Sequence, residues 1–170
     1  MKAKTNLTML CDYYELTMAN GFLQNGLGDQ IAYFDMFFRH IPDGGGMAIM
    51  AGVEQVVSYL RHLSFTEEDI AYLRSRRLFG EDFLAYLRDF RFTCDVWAVP
   101  EGTPIFPHEP IVTVRGPVIQ AQFIETMILL AAWCRENRPE LTRLFELVQE
   151  YRRWGKIKGT YLDGYLRHIN

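Results

Sequence analysis

No hydrophobic run in this sequence is long enough to cross a membrane. The longest unbroken apolar stretch, Met127 to Cys134, falls far short of the roughly 20 residues a spanning helix needs. Cysteine is scarce. Cys11, Cys94 and Cys134 are odd in number and widely spaced, which argues against both a disulfide framework and a zinc cluster. His40, His62, His108 and His168 share no metal-ligand spacing with one another or with a cysteine, so no metal site is expected. Met1-Lys2-Ala3-Lys4 leads into polar Thr5 and Asn6 and not into an apolar segment, so no secretory leader is expected. Phosphate loops are missing as well. Gly44-Gly45-Gly46 lacks the Lys-Ser/Thr of a P-loop, and Ile31 stands where a dinucleotide pattern begun by Gly26 and Gly28 needs its third glycine. Both glycine clusters read as tight turns. No Ser/His/Asp or Cys/His constellation is evident, and there are no repeats or low-complexity segments.

What is present is the material of a packed domain. The 170 residues are 49% hydrophobic, 14% aromatic and 23% charged, with a net charge of -3. That balance excludes disordered, collagen-like and coiled-coil chains and points to a cytoplasmic protein with a buried core. The charge is unevenly placed. Residues 1–130 carry 10 Lys and Arg against 16 Asp and Glu, whereas residues 131–170 carry 8 against 5. A sign change this late suggests a basic tail or a join between unlike segments.

Periodicity predicts an α+β chain. Leu7, Leu10, Tyr14, Met18 and Phe22 recur at spacings of three and four, which predicts a helix over 6–24 with Asn6 as N-cap and this stripe on one face. Ile31 to Arg39 is apolar on both parities except at Asp35, and reads as a strand covered on both faces. A short apolar run at 47–50 precedes a helix with Val53, Val56, Val57, Leu60 and Leu63 on one stripe. Ser64 or Thr66 is placed to cap the next helix, which opens on Glu67, Glu68 and Asp69. A further helix near 81–90 should bury Phe83, Leu84, Leu87 and Phe90. Strand-like runs follow at 95–99, 103–106 and 111–114, with prolines dense enough to confine them to edges, ends or bulges. An apolar helix is expected from Val118 through Leu130, and a basic one from Pro139 to Lys158.

Few residues single themselves out chemically. Asp12 and Glu15 lie three apart on the first predicted helix; a solvated face is the ordinary reading for two such carboxylates, and a substrate-contacting role is the lesser alternative. His62 reads as surface and His108 as a turn residue. Tyr14 lies on the apolar stripe, so a core aromatic is the simpler expectation. The alternative is a ring that stacks on a planar ligand while its hydroxyl stays hydrated.

Several blocks stand in a telling order: Asp12-Tyr13-Tyr14-Glu15-Leu16-Thr17-Met18-Ala19-Asn20-Gly21, Phe34-Asp35-Met36-Phe37-Phe38-Arg39 and Met47-Ala48-Ile49-Met50-Ala51-Gly52. Pro100-Glu101-Gly102-Thr103-Pro104, Pro107-His108-Glu109-Pro110, Val114-Arg115-Gly116-Pro117 and Gln122-Phe123-Ile124-Glu125-Thr126 with Leu129-Leu130 follow. By these blocks residues 5–130 resemble the N-terminal region of the nicotinate phosphoribosyltransferases. The resemblance implies a mixed helix and short-strand domain at 1–130, followed in the family by an α/β barrel that this chain lacks, with 131–170 a divergent basic helical tail. It implies a reaction in which nicotinate attacks the anomeric carbon of phosphoribosyl pyrophosphate, giving nicotinate mononucleotide and pyrophosphate in NAD biosynthesis. ATP hydrolysis through a phosphorylated histidine and Mg²⁺ at the pyrophosphate belong to the same implication, as does a homodimer. The second tyrosine of the first block, Tyr14 here, is implied to stack on the pyridine ring and to reach the neighbouring subunit's barrel, with Asp12 and Thr17 in support. The family's phosphoribosyl-binding arginines, phosphorylated histidine and glycine-rich phosphate loop have no counterpart in these 170 residues. Catalytic residues are therefore not expected in this chain, which alone should be inactive.

The tail carries a second resemblance. Residues 147–164, with Tyr151-Arg152-Arg153, Lys156-Ile157-Lys158-Gly159-Thr160-Tyr161 and Asp163 in order, are similar to a thumb segment of family A DNA polymerases. That resemblance implies backbone contacts to DNA by Arg152, Arg153, Lys156 and Lys158. Two alternatives to the enzyme reading follow: nucleic-acid binding through the tail, and a module that docks on full-length phosphoribosyltransferase subunits through the Tyr14 helix.

Overall fold

The computed structural model of the chain describes residues 6–41 and 46–129. The basic tail with Arg152, Arg153, Lys156 and Lys158, the Cys134 thiol and the Gly44-Gly45 pair lie outside the described residues. The element order is α1 (Tyr13–Gln24), β1 (Ile31–Met36), β2 (Ala48–Ile49), α2 (Val53–Leu60), α3 (Glu67–Ser75), α4 (Glu81–Arg88), β3 (Asp95–Ala98), β4 (Pro104–Ile105), β5 (Val112–Pro117) and α5 (Val118–Gln122). This is the mixed helix and short-strand organisation that periodicity predicts.

A three-stranded antiparallel sheet in the order β1-β5-β3 organises the fold. Ile31 lies opposite Pro117 and Met36 opposite Val112, while Asp95 faces Arg115 and Ala98 faces Val112. Along β5, Val112, Val114 and Gly116 point inward and are buried. Gly116 is required by close approach. A Cβ there would collide with the Cys94 sulfur and lie 2.8 Å from Cys94 Cβ and 3.0 Å from Cys94 Cα. The prolines sit where they cost the ladder little: Pro117 ends β5, and Pro104 opens the two-residue strand β4, which pairs with β2.

Helices cover one face of the sheet. The chain turns directly from β5 into α5, which packs on β1 and β5 and against α1. Behind them the core is aromatic. Phe65, Phe90 and Phe123 meet edge to face with centroids 5.6 to 5.7 Å apart, the geometry that aromatic quadrupoles favour. Phe83, Leu84 and Leu87 of α4 and Phe90 just beyond it are all buried, as the spacing predicts. Between the two expected caps of α3 the structure selects Thr66. Its hydroxyl accepts from Asp69 N at 3.2 Å, and Asp69 Oδ2 accepts from Thr66 N at 2.9 Å. This reciprocal pair satisfies two otherwise orphaned amides.

Four expectations are corrected. The first helix does not begin at Asn6. It begins at Tyr13 with Asp12 at its N-cap, and the Asn6 side chain instead anchors the preceding segment by donating to Ser64 O at 3.0 Å. Its buried face is Glu15, Leu16 and Ala19, while Tyr14 and Met18 face outward. Ala19, fully buried, lets the α1 backbone approach its neighbour closely. Second, β1 ends at Met36 and is not covered on both faces. Ile31, Tyr33 and Asp35 are exposed, because helices lie on only one side of the sheet among the described residues. Cross-strand partners satisfy that open face. Arg115 donates to Tyr33 Oη at 2.9 Å and pairs with Asp95 at 3.1 Å, and Thr113 donates to Asp35 at 2.6 Å. Third, the helix expected through Leu130 is interrupted. It turns at Phe123 and Ile124 before resuming at 125–129. The Thr126 amide donates to the Glu15 carboxylate at 3.2 Å, a partner outside its own helix at the point of the break. The fourth correction concerns Glu15 itself, whose carboxylate is not solvated but buried in the α1–α5 contact.

Candidate functional site

The sequence blocks that stand far apart along the chain are brought together in pairs. Glu101, from the block at 100–104, accepts from Gly52 N and Glu54 N, both at 3.2 Å, and so caps α2 at the end of the block at 47–52. Gly52 needs its glycine there, with φ at +103°. His108 takes φ +67° in its turn and its amide donates to Phe38 O at 2.8 Å, joining the block at 107–110 to that at 34–39. His62 lies on the surface as expected, with its ring Nδ1 2.6 Å from Ser58 O.

The third pairing is where candidate chemistry gathers. Residues 12–18 of α1 and its cap meet residues 122–126. The Tyr14 phenol donates to Glu125 Oε2 at 2.6 Å, short as befits a bond to a carboxylate. One position on, Glu15 Oε1 accepts from both the hydroxyl and the amide of Thr126, at 2.7 and 3.2 Å. Thr126 Oγ1 in turn lies 3.3 Å from Asp12 N, which donates to it. Gln122 Nε2 stands 3.3 Å from the Met18 sulfur. Four α1-side residues thus engage three residues of the α5 region.

The electrostatics of this patch are unusual. Glu15 is wholly buried, and its second oxygen, Oε2, has no hydrogen-bond partner among the described residues. Burial outweighs the two bonds from Thr126 and, with the nearby charges of Asp12 and Glu125, pushes the Glu15 carboxyl up to about 7. The Tyr14 phenol is also pushed above its ordinary range. Desolvation leads, followed by the hydrogen bond to Glu125 and the charges of Glu125, Glu15 and Asp12. The phenol therefore remains a donor throughout the physiological range.

Tyr14 is 43% exposed, so it is not the core aromatic of the simpler expectation. Thr17, also exposed, donates its hydroxyl to Tyr14 O at 3.0 Å, and Asp12 occupies the N-cap position without a side-chain capping bond, its carbonyl accepting from Glu15 N at 3.1 Å. The three expected site residues therefore share one end of α1. The sequence assigns no role to Glu125 or Thr126, although both stand within one of its telling blocks, and it offers Glu15 a substrate contact only as the lesser alternative to the solvated face that its burial overturns. No local pattern marks their pairing, because Tyr14 and Glu15 lie 111 positions from Glu125 and Thr126 respectively.

Comparison with known proteins decides the family. A family model described as the nicotinate phosphoribosyltransferase N-terminal domain matches residues 9–131. The chain belongs to the nicotinate phosphoribosyltransferase family. Among curated relatives, a nicotinate phosphoribosyltransferase of Mycobacterium tuberculosis is 43% identical over 121 residues, covering 71% of this chain and 26% of the relative. That of Bacillus subtilis is 37% identical over 124 residues, covering 73% of this chain and 25% of the relative. The crystal structure of human nicotinic acid phosphoribosyltransferase superimposes with a TM-score of 0.67 at 34% identity, covering 71% of this chain and 25% of that one. The chain spans about a quarter of the length of the relatives it matches. The described nicotinate phosphoribosyltransferase domain holds no three His, Cys, Asp or Glu side chains that converge as metal ligands. No helix among the described residues is long and apolar enough to cross a membrane.

Proposed function

We propose that this chain supplies the N-terminal, pyridine-stacking part of a nicotinate phosphoribosyltransferase acting in NAD biosynthesis. The reaction joins the ring nitrogen of nicotinate to the anomeric carbon of phosphoribosyl pyrophosphate and releases pyrophosphate, with ATP hydrolysis coupled to it. Tyr14 presents its ring to the pyridine. A flat, electron-poor heterocycle gains from an aromatic face, and holding it in one orientation lowers the entropic barrier to attack. Asp12 and Thr17 support the start of α1. The domain occupies 1–130 in this reading and meets the barrel that carries the reactive phosphoribosyl centre across a homodimer interface. Mg²⁺ would neutralise the departing pyrophosphate; among the described residues no three His, Cys, Asp or Glu side chains converge to hold it.

The observation that carries this reading is the outward, half-exposed placement of Tyr14 with its phenol pinned to Glu125. A chimera tests it, with residues 9–129 replacing the matching region of the Mycobacterium tuberculosis relative. The chimera should convert nicotinate and phosphoribosyl pyrophosphate to the mononucleotide, while the 170-residue chain alone should not. Turnover by the chain alone, or a folded but inert chimera, would contradict the assignment.

A further inference from the structure

Tyr14 stands on the surface at the end of a long side chain, and exposed side chains of this kind exchange rotamers in picoseconds to nanoseconds. A stacking platform that wanders costs binding energy, because each encounter must freeze it again. The surroundings of Tyr14 address this directly. Glu125 approaches from the opposite helical stretch to 2.6 Å of the phenol oxygen, and among the described residues none of the ion pairs engages that carboxylate. The nearest charged neighbours of the pair, Asp12 and Glu15, are acidic, so the carboxylate has every reason to turn to the phenol hydrogen.

The backbone carrying Glu125 is itself fixed. Its neighbour Thr126 is 8% exposed and is held by Glu15 through two hydrogen bonds and by Asp12 N through a third. The chain positions 14 and 15 therefore meet 125 and 126 as two parallel pairs, one outside and one inside the fold. The inner pair sets the register of α1 against 125–129, and the outer pair uses that register.

We propose that Glu125 is the positioning residue of Tyr14: its carboxylate accepts the hydrogen bond from the phenol and holds the ring in one outward pose. The consequence is a pre-set stacking face. The carboxylate also draws the phenol proton toward itself, which enriches the ring in electron density and suits it to an electron-poor partner. The inference rests on the reading of Tyr14 as a stacking ring, but the lock can be measured without any ligand.

The experiment uses the full 170-residue chain with uniformly ¹³C,¹⁵N-labelled tyrosine, the Tyr14 Cζ resonance being assigned by its loss in Tyr14→Phe. Side-chain couplings and the pH titration of that resonance are compared in the parent, Glu125→Gln and Glu125→Ala. The parent should show a single rotamer and a phenol that stays protonated beyond the ordinary tyrosine value of about 10. Glu125→Ala should show averaged rotamers and a titration shifted down toward that value. Glu125→Gln, which keeps an acceptor but loses the charge, should hold the pose while the titration still falls. A Tyr14 side chain that keeps both its rotamer and its titration in Glu125→Ala overturns the lock and leaves the stacking reading standing. Conversely, nicotinate kinetics indifferent to Tyr14 would remove the stacking reading and leave a lock shown by NMR intact.

Discussion

Replacing Glu15 by Gln isolates the energetic consequence of a carboxyl buried with one unsatisfied oxygen. In the parent protein the group titrates near 7 when folded, against an ordinary value of 4.5. The folded state therefore binds this proton more tightly than the unfolded one. The stability contributed by the protonated form is fully present below about pH 4.5 and is lost as pH rises through about 7. At 1.36 kcal/mol for each pH unit between the two values, the loss sums to about 3 kcal/mol by pH 8. Glutamine keeps the acceptor for the Thr126 hydroxyl and amide and carries no charge. Urea denaturation of both proteins across pH 4.5 to 8 should give Glu15→Gln little advantage at the acid end. Its advantage should grow to about 3 kcal/mol at pH 8, with the steepest change between pH 5 and 7. A stability difference that stays constant with pH, or that turns against the glutamine variant at pH 8, would refute the argument that burial dominates this carboxyl.

Two other substitutions probe the scaffold. Thr66→Ala removes the hydroxyl that caps Asp69 N at 3.2 Å and should cost about 1 kcal/mol, read as a lowered urea midpoint. Gly116→Ala pushes a methyl into Cys94 and should cost about 1–3 kcal/mol. Adding Cys94→Ala should not rescue it, because Cys94 Cβ and Cα remain 2.8 and 3.0 Å from the new atom.

Local signals in the sequence are legible where their partners are also local. Thr66 and Asp69 form their reciprocal cap within four residues, and α4 packs Phe83, Leu84 and Leu87 on the face that helical spacing marks out. The prolines sit at strand ends, where a missing amide matters least. The resemblance carried by the ordered blocks also placed the chain in its family, which periodicity could not have done.

The errors share one physical cause. The Leu7, Leu10, Tyr14, Met18 and Phe22 stripe counts residue types, but which side of α1 faces inward depends on residues more than a hundred positions away. Thr126 offers a hydroxyl and an amide to Glu15, and that pair of donors makes a buried carboxyl tolerable. The helix then rotates Glu15, Leu16 and Ala19 inward, and Tyr14 with Met18 outward. The same bond interrupts the helix expected to continue from Val118. For β1, alternation between exposed and half-buried residues was hidden because the open face holds Ile31 and Tyr33 together with Asp35. Their partners, Arg115 and Thr113, lie on a strand some eighty residues later, so neither parity looked polar.

The central claim is that Tyr14 is the face on which the pyridine ring rests. Its most direct measurement is the nicotinate KM and kcat/KM of the Mycobacterium tuberculosis chimera carrying Tyr14→Phe and Tyr14→Ala. Loss of an aromatic contact of about 0.5–1.5 kcal/mol predicts that Tyr14→Ala lowers kcat/KM for nicotinate by up to about tenfold through KM, while Tyr14→Phe, which keeps the ring but loses its bond to Glu125, falls between the parent and the alanine variant. An alanine variant with unchanged nicotinate kinetics, or a phenylalanine variant as impaired as alanine, would contradict it.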